Sequence, residues 1–125
     1  MNRIIFATVA TILSSMMALA ADSTPVFVGH KYTVAYKDGP SLLLDFKSAT
    51  FMEGTFLAGP SKGQKLAITF KTTEISPKVY MLTWQETDKT TVMHVDDFNK
   101  MQSLSNVTLP DGTFLNMAGA FKPAD

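Results

Sequence analysis

What most limits the folds open to this chain is its punctuation. Turn-forming residues recur at short intervals: Lys37-Asp38-Gly39-Pro40, Gly59-Pro60-Ser61-Lys62-Gly63, Ser76-Pro77, Thr87 to Thr90 and Pro110-Asp111-Gly112. The runs between them are rich in Val, Ile, Thr, Phe and Tyr and alternate apolar with polar, a period of two that a strand satisfies and a helix does not. They predict strands at Lys31–Tyr36, Leu42–Lys47, Thr50–Leu57, Lys65–Thr72, Lys78–Glu86, Thr91–Phe98, Ser103–Leu109 and Thr113–Phe121. Short antiparallel strands joined by tight turns form a meander. Closing that meander into a barrel removes its exposed edges. The fold class is therefore all-β, a single antiparallel barrel, with a flat sandwich of the same strands as the alternative. An eight-stranded barrel has an interior just wide enough for side chains or one small ligand.

The chain opens MNRIIFATVATILSSMMALA. Arg3 gives a short positive region, Ile4 to Met17 an apolar one, and Ala18-Leu19-Ala20 a small-x-small cleavage signal. This is the grammar of a secretory signal peptide over residues 1–20, and it predicts a periplasmic or secreted product. An uncleaved anchor is the alternative, since the apolar stretch nears the length that spans a bilayer. The domain then covers residues 21–125, which is 105 residues and enough for one domain. There is no cysteine, which removes disulfides, thiolate metal sites, cysteine nucleophiles and a cysteine-linked lipid. The mature product is accordingly expected to leave the membrane after cleavage. Losing Arg3 leaves ten Lys and Arg against eleven Asp and Glu, a net charge of −1 with no basic stripe. Nucleic acid is not expected as a partner.

The hairpin VYMLTWQETDKTTVMHVDDF, Val79 to Phe98, carries the most chemical information. If its turn centres on Asp88-Lys89, Glu86 pairs with Thr91, Trp84 with Met93, Leu82 with Val95 and Tyr80 with Asp97. These share one face, because side chains alternate along a strand. That face is the more apolar and holds the sole tryptophan, so it is expected to look inward. Glu86 then closes an apolar series. Lost hydration there favours its neutral form, which suits a proton donor. In the alternative reading Glu86 adjoins the turn and simply meets water. A one-residue register slip would exchange the faces and bring His94 opposite Trp84.

His94-Val95-Asp96 places an imidazole and a carboxylate at i, i+2, on the face expected to be outward. With only one other histidine, His30, no metal is specified, and none is expected. No phosphate loop, dinucleotide fingerprint or Gly-x-Ser-x-Gly is present, and no cofactor is expected. Alternating Tyr32, Val34 and Tyr36, with Phe46, Phe51, Phe56 and Phe70 on later strands, supply rings for a core. They could equally line a pocket for a small apolar or aromatic ligand. The candidate ligand-binding residues are Tyr36, Val34, Phe46, Phe56, Phe70, Leu82, Trp84, Glu86 and Met93. If the protein is an enzyme, Glu86 and Tyr36 are its candidate catalytic residues.

The stretches LTWQETDKTTVMHVDDF and NVTLPDGTFLNMAGAF resemble the MoaF-like family of lipocalin-like (calycin) barrels, a likeness running from Gly29 to Phe121. Its namesake is associated with molybdenum cofactor biosynthesis. The resemblance implies an eight- to nine-stranded barrel with an internal pocket and names no substrate. More distantly, Trp84-Gln85-Glu86 is similar to the Trp-x-Glu of phenolic acid decarboxylases, whose acid protonates the product; Glu86 would be that donor. Tyr36 matches one tyrosine of that family's carboxylate-holding pair, but Val34 stands at the other position. Thr55 stands where the family has an arginine, and the chain after residue 3 has no arginine. Without a fixed cation a bound carboxylate is poorly oriented and its charge uncompensated. The ordering that follows is a small-molecule-binding barrel first, a carbon-carbon lyase using Glu86 second, and a pocketless structural or protein-binding barrel third.

Overall fold

The computed structural model describes residues 23–125, so the expected signal peptide lies outside the described residues. The chain folds into nine antiparallel strands and no helix among those residues. They are β1 (Lys31–Tyr36), β2 (Ser41–Phe46), β3 (Phe51–Phe56), β4 (Lys65–Thr69), β5 (Lys71–Ser76), β6 (Val79–Gln85), β7 (Thr91–Asp97), β8 (Gln102–Thr108) and β9 (Phe114–Pro123). Their order in the sheet is β4-β3-β2-β1-β9-β8-β7-β6-β5. Consecutive strands are neighbours except β4 and β5, which are the two ends of the sheet, and β1 pairs with β9, with Val34 opposite Phe121.

The two ends of this sheet, β4 and β5, are consecutive in the chain, and that is how the barrel closes. Lys65–Thr72, expected to be one strand, changes partners at Phe70. Before it, Ile68 pairs with Met52 of β3; after it, Lys71 pairs with Thr83 of β6. The amide of Phe70 still donates to Thr50, and the Thr72 hydroxyl donates to the Ala49 carbonyl at 2.6 Å. The side chains ignore the break: Leu66, Ile68, Phe70 and Thr72 continue one inward series. Closure is incomplete at one end, where β4 and the last residues of β6 flank a cleft lined by Leu66, Ile68, Trp84 and Glu86.

The interior is divided along its length. One end is filled with rings. Phe27, from the short turn before β1, is fully buried and lies 4.6 Å from Phe46, 5.1 Å from Tyr80 and 5.7 Å from Phe98. Phe98 stacks on Phe121 at 5.2 Å, and Phe70 and Tyr32 complete the plug. Burying aromatic side chains is the largest apolar contribution available to so small a domain. The other end contains a cavity.

The hairpin β6–β7 does not follow the expected register. Glu86 pairs with Thr90, its amide donating to the Thr90 carbonyl at 2.8 Å, and the turn is three residues, Thr87-Asp88-Lys89. Lys89 takes a positive φ of 78° and Asp88 accepts the Thr90 amide at 2.9 Å. A three-residue loop closed by a left-handed residue is a favoured hairpin connection. Relative to a two-residue turn it shifts the pairing by one. Trp84 therefore faces Val92, Leu82 faces His94 and Tyr80 faces Asp96. Tyr80, Leu82 and Trp84 point inward as expected, but on β7 the inward side chains are Val92, His94 and Asp96. Met93, expected inside, is 36 % exposed on the outer wall.

Candidate functional site

The cavity has a volume of about 350 Å³, at the lower end of the range for ligand sites. The wall from β2, β3 and β4 is apolar: Leu42, Leu44, Met52, Phe56, Leu66 and Ile68. The facing wall, from β1, β7, β8 and β9, mixes Val34, Val92 and Met117 with Tyr36, His94 and Ser105. The rim carries Pro40, Glu86, Asp88, Thr90 and Leu109, residues in or beside the turns at that end.

Of the residues read from the sequence as pocket-lining, Val34, Tyr36, Phe56, Trp84 and Glu86 surround this cavity. Phe46, Phe70 and Leu82 do not; they belong to the packed core, where Phe46 and Phe70 pack on each other and on Phe27. Met93 is excluded by the register of its strand. Thr55 is partly exposed and pairs with Leu43 and Lys65, away from the lining residues. Glu86 sits at the rim rather than deep inside. It is partly exposed, and one oxygen lies 3.5 Å from the Trp84 indole nitrogen, which donates to it.

The deep polar groups are ones the expected register hid. Asp96 is fully buried, as is Ser103, its directly paired neighbour on β8. The Ser103 hydroxyl donates to Asp96 Oδ1 at 2.6 Å. A serine has a single hydroxyl proton, so the Tyr36 hydroxyl, 3.1 Å from Ser103 Oγ, donates to it. The Tyr36 proton is then spent, and His94 Nε2, 3.4 Å from the Tyr36 oxygen, must be the donor there. The chain of donation runs from His94 through Tyr36 and Ser103 to Asp96. His94 Nδ1 stands 3.6 Å from Asp96 Oδ1, and neither it nor Asp96 Oδ2 has a hydrogen-bond partner among the described residues. An unpartnered buried polar atom costs about 1–3 kcal/mol, so this wall is not the cheapest way to fill a barrel.

Burial pushes the Tyr36 hydroxyl up to about 12, with the nearby Asp96 charge adding to the effect and the Ser103 hydrogen bond opposing it. Tyr36 is thus a neutral phenol at any physiological pH. Its ring owes its position to Gly119, which lies between Tyr36 and Ser103 in the sheet. A Cβ on Gly119 would stand 2.8 Å from Tyr36 Cδ1 and 3.0 Å from Val34 Cγ2. The ring crosses the bare backbone to reach Ser103. The sequence signal for this wall was Phe98: it shares strand parity with Val92, His94 and Asp96, and an aromatic at that position belongs inside.

A nearly closed antiparallel meander with a plugged end and a hollow end defines a lipocalin-like barrel. Residues 28–122 match the MoaF-like family, and the chain belongs to it. The chain is also similar to a crystal structure described as "a putative beta-lactamase from Burkholderia vietnamiensis", with 27% sequence identity and a TM-score of 0.73, over 80% of this chain and 97% of that one. No curated protein matches the sequence.

Proposed function

We propose that the protein is an exported small-molecule-binding barrel whose ligand is apolar or aromatic in its body and seats in the 350 Å³ cavity. One observation carries this reading: the barrel is solid with rings at one end and hollow at the other, where an aliphatic wall faces a few converging polar groups. Ligand sites have that composition, mostly apolar with few placed polar atoms. Leu42, Leu44, Met52 and Ile68 would hold the body, and Tyr36, His94 and Glu86 would meet its polar end. The leader-like residues 1–20 support a periplasmic or secreted location. Intact mass of the product recovered from the cell envelope or medium tests it: a chain beginning at Ala21 is expected, and a full-length chain held in the membrane would remove it.

The test of binding is a thermal-shift screen of planar and phenolic compounds, repeated with Val92→Phe. Val92 lines the cavity and is buried, so the added ring is directed at the empty space. Hits are expected to raise the melting temperature of the natural chain and to leave the variant unmoved. Equal shifts in both would place the ligand elsewhere.

A lyase using Glu86 as general acid is the second reading, supported by that carboxyl lining the cavity beside Trp84. Full turnover by Glu86→Gln on any substrate found would end it. A serine-lactamase chemistry is not carried over from the Burkholderia structure, because no serine in this sequence has a lysine three residues later.

A further inference from the structure

We infer that the cavity selects a protonated amine carried on an apolar body, with the ammonium group held at the rim by Glu86, Asp88 and the Trp84 ring. This rests on the reading of the cavity as a ligand site and assigns the ligand's charge.

The charged residues lining the cavity carry the first part. Glu86 and Asp88 are both there, and among the described residues no lysine or arginine is. The turn lysines Lys37 and Lys89 are outside the lining. Among the described residues neither carboxylate forms an ion pair. Asp88 is held below the usual carboxylate range by hydrogen bonds from Thr90, so it stays negative. Trp84 lines the same rim, and an indole face is the best aromatic surface for a cation. A carboxylate-bearing ligand would meet two like charges and no counter-charge.

The buried wall is an independent second observation. His94 and Tyr36, each 7 % exposed, line the cavity, yet within the wall the His94 Nε2 proton is directed to Tyr36 and the Tyr36 proton to Ser103, which itself donates to Asp96. What the Tyr36 oxygen has left to offer is a lone pair, and His94 Nδ1, 3.6 Å from Asp96 Oδ1, has no hydrogen-bond partner among the described residues. The Trp84 N–H is turned to Glu86. Apart from the hydroxyls of Ser105 and Thr90, the polar side chains of the lining present acceptors to the cavity, which suits a ligand that brings N–H groups.

The test uses three compounds with one body and different ends: 4-phenylbutylamine, 4-phenylbutanol and 4-phenylbutanoate. Binding to the purified protein at neutral pH is followed by calorimetry and by fluorescence of the sole tryptophan, Trp84. The amine is expected to bind at least about tenfold more tightly than the carboxylate, with the alcohol between them. The double variant Glu86→Gln, Asp88→Asn is expected to erase the amine's advantage and to change alcohol binding less than about twofold. A carboxylate that binds as well as the amine, or an amine preference that survives the double variant, overturns the inference and leaves the cavity reading intact. If none of the three binds, both the inference and the cavity reading fall.

Discussion

Gly119 and Tyr36 form a unit in which the absence of one side chain positions another. Gly119→Ala would put a methyl group against the Tyr36 ring and Val34. Overpacking of this kind costs about 1–3 kcal/mol, and denaturant titration is expected to register it. Substituting Tyr36 itself has a pH signature. Its hydroxyl is raised from 10.0 to about 12, so ionisation is harder in the folded chain than in the unfolded one. The contribution is intact below about pH 10 and is lost as pH climbs toward 12, roughly 3 kcal/mol in all by linkage. Stability of the natural chain, measured by urea unfolding, is expected to fall through that window more steeply than that of Tyr36→Phe. Parallel pH curves for the two would contradict the burial argument.

At the scale of elements, two short segments set the geometry: the Phe70 corner and the Thr87-Asp88-Lys89 turn. Phe70→Ala removes a ring packed on Phe27 and Phe46 at the point where one strand passes from β3 to β6. A loss of about 3–5 kcal/mol is expected, read from the unfolding midpoint, and a loss below 1 kcal/mol would show that the corner does not depend on its ring. These two segments also mark where the sequence was legible and where it was not. Alternation and turn residues indicated the strands, because a period of two survives small errors at strand ends. Partner exchange at Phe70 left no trace, since Leu66, Ile68, Phe70 and Thr72 keep alternating through it. The turn was harder still. Asp88-Lys89 suits a two-residue loop, yet Asp88 accepts the Thr90 amide and Lys89 supplies the left-handed residue of a three-residue one. That single residue of loop length exchanged Met93 for His94 and Asp96 in the interior. The deep polar wall was hidden by parity, while Tyr36, Trp84 and Glu86 lie on strands whose facing the alternation indicates, and all three line the cavity.

At the scale of the whole molecule, the ring plug and the cavity lie at opposite ends of one barrel. Phe27, Phe46, Phe70, Tyr80, Phe98 and Phe121 fill one end, and the space at the other is left open between walls that belong to the same core. Filling it is accordingly expected to be tolerated: Val92→Phe should melt within a few degrees of the natural chain, by differential scanning calorimetry. A collapse of the melting transition would mean that the hollow end is as tightly fitted as the plug. The cleft between β4 and β6 opens beside Trp84 and Glu86, at the same end as the rim.

The ring of Phe27 makes the molecule a corked vessel rather than a tube. A ligand of the kind proposed would leave by the end at which it entered, past the loops that bear Pro40, Asp88 and Leu109 or through the cleft between β4 and β6. Its dwell time would then depend on that end, and substitutions there should alter escape rates far more than substitutions around the cork.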